Sequence, residues 1–314
     1  MGTPTNRKQS RTALILILAV IGVIAVLLCS FLYQRGLLDQ NFGSPVSPQN
    51  APLRDGELRV HFLDTDQSEC ILIQYQDTAI LIDAANQGYG SLISGYLWDE
   101  DVTALDLLVL THPHSDHIGS AADILDHFPV WEVLLPDIPT EFLSDIPLYG
   151  DLLEKILAQG CQITYGQPNT AFVLDEKVML SIIGPLKDYG EDLNNQSLVT
   201  KLSYDDISFL FTGDMEALAE SDLMEAGVDL SATVLKIGHH GSHTASSPAF
   251  LSAVHPRYAV IQCGRNNDYG HPHKATRESL QEREIKVYRT DLDGDIVFTT
   301  DGTSVTVTTQ YGLD

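Results

Sequence analysis

The feature that most constrains this chain is the run His112-Pro113-His114-Ser115-Asp116-His117. It follows the apolar stretch LDLLVL (105–110) directly and precedes the helix-like SAADILDHF (120–128). Three imidazoles and a carboxylate within six residues are poor core material, and both groups are usual ligands of zinc and manganese. Alternate residues of an extended loop point the same way. His112 and His114 can therefore share one cation, while Asp116 and His117 reach a second position beside it. A fold that hosts such a loop must bring more ligands to it from elsewhere. Thr212-Gly213-Asp214 ends the apolar stretch ISFLF, Gly238 to His243 (GHHGSH) follows ATVLKI, and His271-Pro272-His273 follows the turn NNDYG. Eight of the 11 histidines lie in the three histidine clusters, all near the ends of apolar stretches, which scattered structural histidines would not do.

The periodicity between these clusters sets the fold class. ELRVHFL, ECILIQY and TAILIDA are short apolar or β-branched runs bounded by polar punctuation, and they read as consecutive strands. LDLLVL and WEVLLP read as buried strands, with SLISGYLWDE, SAADILDHF and most of 139–159 as helices and THPHSDHIG as a loop. The second half repeats the style. KVMLSIIG, SLVTKLSY, ISFLFTGD, ATVLKIGHH and YAVIQCG are strand-like; EALAESDLMEA, SPAFLSAV and ATRESLQER are helix-like; DGDIVFTTDG and TSVTVTTQ close as a hairpin. Strands, helices and hairpins mixed in both halves predict an α/β (α+β) fold, a four-layer αββα sandwich, rather than one doubly wound parallel sheet.

Residues 12–33 carry no charge, and about 20 apolar residues span a bilayer core. Arg7, Lys8 and Arg11 precede the run, so a membrane anchor with a cytoplasmic tail (1–11) and an extracytoplasmic remainder is expected. The other reading, a cleaved signal peptide, is disfavoured because the run exceeds the usual 7–15 residue core and no small-x-small site follows. Residues 34–56 are rich in Pro, Gly, Ser, Asn and Gln and read as a linker, which leaves 57–314 as the folded domain that carries the histidine clusters. Four cysteines, widely spaced, define no disulfide framework. With 18 Lys+Arg against 43 Asp+Glu the net charge is −25, so a polyanion must meet cations or a local basic patch rather than a basic surface.

The set HxHxDH, TGD and a strand-terminal HHGS is similar to the pattern of metallo-β-lactamase fold hydrolases. More narrowly, VHFLDTDQSECILIQ, THPHSDHIG, NNQSLVTKLSY, FLFTGD, LKIGHHGSHTASS and RTDLDGDIVFTTDG resemble the catalytic domain of the ComEC competence-protein family over about 57–305. The resemblance implies two divalent metal ions, Zn²⁺ or Mn²⁺. His112 and His114 would bind one, Asp116 and His117 the other, and Asp214 would bridge them. His239 matches the late ligand and His240 faces the substrate or supports a ligand, although the adjacent pair could exchange roles. Many relatives carry another ligand histidine before the bridging aspartate. Here that interval holds only His127, on a helix, and Asn194-Asn195 stands in the corresponding stretch. The family's D-x-G-Q-G-(D/E) appears as Asp64-Thr65-Asp66-Gln67-Ser68-Glu69, with both glycines replaced. Asp64 and Asp83 are expected to stand behind the ligands.

Two such cations lower the pKa of bound water to about 7 and clamp a phosphate. The expected reaction is hydrolysis of a phosphodiester, in nucleic acid or a cell-wall polymer. Asp116 would orient the nucleophile, and His240, His243 or His271 would protonate the leaving oxygen. Asn195, Ser242, Arg265 and Lys274 are the candidate phosphate contacts. Two rivals remain: a carbonyl-centred hydrolase of the same fold, and a metal-stabilised module that binds DNA or an envelope partner. One apolar span does not make a DNA channel, so a separate channel protein is a candidate partner.

Overall fold

The computed structural model describes residues 52–143 and 146–312. The segment expected to be an anchor, 12–33, lies outside them, as does most of the linker; among the described residues no helix is long and apolar enough to cross a membrane. The first half runs β1 (Leu58–Phe62), β2 (Ile71–Tyr75), β3 (Thr78–Ile82), α1 (Gly90–Asp99), β4 (Leu105–Val109), α2 (Ser115–Ile118), α3 (Ala121–His127), β5 (Val130–Pro136), α4 (Thr140–Leu143), α5 (Pro147–Gln159) and β6 (Gln162–Gly166). The second runs β7 (Ala171–Val173), β8 (Val178–Gly184), β9 (Val199–Tyr204), β10 (Ile207–Phe211), α6 (Ala217–Glu225), β11 (Val234–Lys236), α7 (Pro248–Val254), β12 (Tyr258–Ile261), α8 (Lys274–Glu282), β13 (Lys286–Arg289), α9 (Thr290–Asp293), β14 (Ile296–Thr300) and β15 (Val305–Thr309).

These strands form two sheets, ordered β15-β14-β1-β2-β3-β4-β5-β6 and β13-β12-β11-β10-β9-β8-β7. The inner strands are buried on both faces, β1 and β2 at every residue, with Arg59, His61 and Gln74 among them, because a second sheet covers one face and helices the other. Phe62, Phe209, Phe211 and Phe298 pack between the sheets. Leu72, Leu108, Ile124 and Leu152 lie under the helices of the first sheet, and Leu235, Phe250 and Leu280 under those of the second. These three apolar layers separate four layers of structure, the expected αββα sandwich.

The strand directions position the site. β3, β4, β5 and β6 are parallel, and so are β10, β11, β12 and β13. Ligand crevices open at the carboxyl ends of such strands. His112–His117 follows β4, Thr212–Asp214 follows β10, Gly238–His243 follows β11, and the stretch leading to His271 follows β12. One expectation needs amending: THPHSDHIG is not loop throughout, since α2 forms within it and the N–H groups of His117 and Ile118 both donate to His114 O. Edge strands β6, β7 and β13 and the short helix α9 have no counterpart in the sequence reading.

Candidate metal centre

Asp214 sits at the middle of the centre, 1% exposed, with a different set of imidazoles facing each carboxylate oxygen. On one side His117 Nε2 lies 3.3 Å and His240 Nε2 3.6 Å from Oδ1, and His240 Nε2 is 3.5 Å from Asp116 Oδ2. Ligand atoms of Asp116, His117, Asp214 and His240 all fall within 4.8 Å of one another. On the other side His112 Nε2 lies 3.9 Å and His239 Nε2 3.7 Å from Oδ2, and His114 Nδ1 is 3.0 Å from His112 Nε2. The buried atoms His117 Nε2, His240 Nε2 and Asp214 Oδ1 have no hydrogen-bond partner. Buried polar atoms are rarely left unpaired, and three of them aimed at one point fit a cation there.

Local backbone geometry makes this arrangement. His239 and His240 both adopt left-handed backbone, φ 48° and 52°, within the tight turn Gly238–Gly241. That turn sends the adjacent rings to opposite sides of Asp214. Gly241 closes it at φ +86°, and a Cβ there would meet Pro272 at 2.6 Å, so only glycine lets the third histidine cluster close over the turn.

The outward nitrogens set the tautomers. His117 Nδ1 is 2.6 Å from Asp83 Oδ2, a carboxylate held by the N–H and hydroxyl of Thr111 at 2.7 Å each. His240 Nδ1 is 2.8 Å from Gln262 O, and His239 Nδ1 is 2.9 Å from Glu216 Oε1. Carbonyls and carboxylates accept only, so each Nδ1 carries the proton and each Nε2 offers its lone pair.

The charges agree. Burial alone would raise the Asp214 carboxyl, but His117, His240 and His112 hold it well below its ordinary value. Burial also works against Asp116, and His117 and His240 outweigh it. His117 rises well above its ordinary value against burial, because Asp214, Asp83 and Asp116 surround it. A divalent cation answers the same need as that extra proton. Burial, then the charge of His117, keeps His112 neutral.

The cleft above this centre has a volume of about 230 Å³ and is lined by His114, Asp116, Asn194, Asp214, His239 and His271, among others. Several expected residues are not in it. Asn195 is spent on α6, its Oδ1 accepting from the N–H groups of Glu216 and Ala219, and Asn194 lines the cleft instead. Arg265 donates to Asp291 O and borders a separate cleft with Asp64 and Asp66, so neither Arg265 nor Asp64 stands at the centre. Lys274 is in solvent, paired with Glu278. Ser242 is hydrogen-bonded to Thr244, and exposed His243 to His273. His240, expected to face the substrate, faces Asp116 and Asp214 as a ligand would. Asp83 stands behind His117 as expected. Gln67, noted in the sequence only as part of the Asp64–Glu69 motif, lines the cleft as well; Tyr269, Glu216 and Gln262 were not foreseen. Glu216 lies two residues after Asp214 and Gln262 at the end of β12, the one sequence signal that pointed to them.

A donor set of this kind at the carboxyl ends of a two-sheet αββα sandwich defines a class, and the sequence agrees: residues 63–265 match the model of the "Metallo-beta-lactamase superfamily", and the chain belongs to that superfamily. Within it, the chain is 32% identical over 203 residues to ComE operon protein 3 of Bacillus subtilis, covering 65% of this chain and 26% of that protein. It is 28% identical over 295 residues to Competence protein ComA of Neisseria gonorrhoeae, covering 90% and 38%. The chain thus spans well under half of the curated relatives it matches. Among solved structures, the metallo-β-lactamase fold protein YhfI of Bacillus subtilis shares the fold (TM-score 0.54, 14% identity, 79% of this chain and 100% of that one). So does CmlA, a diiron β-hydroxylase of Streptomyces venezuelae (TM-score 0.53, 15% identity, 80% and 55%). Metal-dependent hydrolysis is the chemistry this superfamily is named for.

Proposed function

We propose that this hydrolase cleaves phosphodiesters, in short or single-stranded nucleic acid or in a cell-wall polymer, with two divalent ions, Zn²⁺ or Mn²⁺, at the centre. The observation that carries the reading is Asp214, whose two oxygens each face their own imidazoles. Asp116, His117 and His240 would hold one ion and His112, His114 and His239 the other, with Asp214 between. Bound there, the ions would supply a water-derived nucleophile at neutral pH and a Lewis acid for a phosphoryl oxygen. The chain's own groups do the rest. Asp116, with its side chain 29% exposed at the cleft wall, would accept a hydrogen bond from the attacking water and fix its direction. Asn194 and His271 border the space a phosphate would fill. One relative, Competence protein ComA, is named for competence, which fits a nucleic-acid substrate. A net charge of −25 disfavours long duplexes, which need many cationic contacts. We further propose that 12–33 anchors the chain with its catalytic part outside the cytoplasmic membrane, where a separate channel protein could present substrate.

The test is a parallel assay of the full chain, loaded with Mn²⁺ or Zn²⁺, on bis-p-nitrophenyl phosphate, single-stranded DNA and a lactone panel. Diester cleavage is expected; lactone cleavage alone would overturn the substrate class. Asp214→Ala should lower turnover beyond the roughly 10–100-fold loss typical of an outer partner, with the circular dichroism spectrum retained. Unchanged turnover would remove the bridging role.

A further inference from the structure

His271 differs from His117, His239 and His240 in what its Nδ1 faces. His117, His239 and His240 turn Nδ1 to an acceptor and free Nε2 to bind a cation. His271 turns Nδ1 to the side-chain amide of Gln67, 3.2 Å away. The orientation of that amide is decided at its other end, where Gly264 N–H donates to Gln67 Oε1 at 3.0 Å. Flipping the amide would set an NH₂ group against that N–H, two donors facing each other. Gly264 permits the approach, since a Cβ there would meet the Gln67 backbone at 2.9 Å. Gln67 Nε2 must therefore donate, and His271 Nδ1 must accept. The imidazole proton is left on Nε2, which makes no hydrogen bond with any described residue.

The ring is also held still. Asn267 binds both backbone groups of His271, accepting from its N–H at 2.9 Å and donating to its carbonyl at 2.7 Å. Tyr269 stacks on the ring with centroids 5.6 Å apart. His271 is 9% exposed and lines the same cleft as Asp116, Asp214 and His239. A rigid neutral N–H at that place suits neither cation binding, which needs a lone pair, nor delivery of a proton from a charged acid. It suits an anionic oxygen, because a donor fixed in advance costs no reorganisation when charge develops.

We infer that Gln67 is a positioning residue that locks His271 as the Nε2–H tautomer, and that this N–H is a hydrogen-bond donor to a non-bridging phosphoryl oxygen of the substrate. The role rests on the phosphodiesterase reading for its substrate, while the tautomer stands apart from it.

The test is nitrogen NMR of the full, metal-loaded chain with ¹⁵N-labelled histidine, the His271 signals being those lost in His271→Asn. The expected spectrum has His271 Nδ1 unprotonated and Nε2 protonated, with Nε2 shifted by inorganic phosphate. In Gln67→Glu a carboxylate accepts from both Gly264 N–H and the ring, so the proton should appear on Nδ1. Gln67→Leu should retain metal content and KM and lose kcat on bis-p-nitrophenyl phosphate by about 10²-fold, the usual cost of one transition-state donor. A proton on Nδ1 in the unaltered protein, a tautomer that Gln67→Glu leaves unchanged, or an Nε2 signal indifferent to phosphate would each overturn the inference. Should lactones alone be hydrolysed while these signals behave as expected, the phosphodiesterase reading falls and the anion donor remains.

Discussion

His61 is fully buried, its Nδ1 2.9 Å from the Tyr96 hydroxyl, and burial with the charge of Arg59 pulls its pKa from 6.5 to about 3. The unfolded chain takes up this proton first as pH falls. The stability His61 contributes is therefore complete above about pH 6.5 and drains away between 6.5 and about 3, at up to about 1.4 kcal/mol per pH unit. Comparing urea unfolding of the unaltered protein with His61→Leu between pH 7 and 4 should show their stability difference falling at that slope. Parallel pH profiles would show that His61 is not linked to folding. At this scale the sequence was most legible where chemistry alone restricts a residue. His112, His114, Asp116, His117, Asp214 and His239 all meet at one centre, because no other environment suits so many ligands together. The side chains in the long connections were not legible, since no period fixes their direction. Asn195 and Asn194 differ by one position, yet one caps α6 and the other lines the cleft. Arg265 and Lys274 have long side chains in an acidic protein, and each finds an oxygen partner away from the cleft.

Among the elements, β11 carries a fully buried ion pair. Three residues long, it places Lys236 at 0% exposure, where Nζ donates to Glu69 Oε2 at 2.6 Å and to Ile237 O at 3.0 Å. Glu69 in turn donates its N–H to Asp116 O, so one buried ion pair ties the strand before the His239–His240 turn to the loop that carries Asp116. Lys236→Met should cost about 3–5 kcal/mol in urea denaturation, because it leaves Glu69 buried and unpaired. The double change Lys236→Met with Glu69→Leu should recover much of the loss. A neutral single variant would show that the pair contributes nothing. The inner strands were legible because burial on both faces leaves mostly apolar runs, as in β2 (ILIQY), β3 (TAILI) and β10 (ISFLF). β6 (QITYG) and β13 (KVYR) were not, since each lies at a sheet edge, pairs on one side only and carries polar residues.

Over the whole molecule, the candidate ligands divide between the two sheets. Those up to His117 follow β4 in the eight-stranded sheet, and Asp214, His239 and His240 follow β10 and β11 in the seven-stranded one. Any cation that binds both groups fastens the layers together, and binding to the native state alone adds stability as concentration rises. At 100 times the dissociation constant the gain is about 2.7 kcal/mol. The melting temperature should therefore climb with free Zn²⁺ or Mn²⁺, drop on chelation, and lose most of that dependence in Asp214→Ala. A melting point indifferent to chelator would separate the ions from folding. Scarcity of the right metal would then reach this protein twice, as lost turnover and as a seam between its layers that opens more readily to proteases.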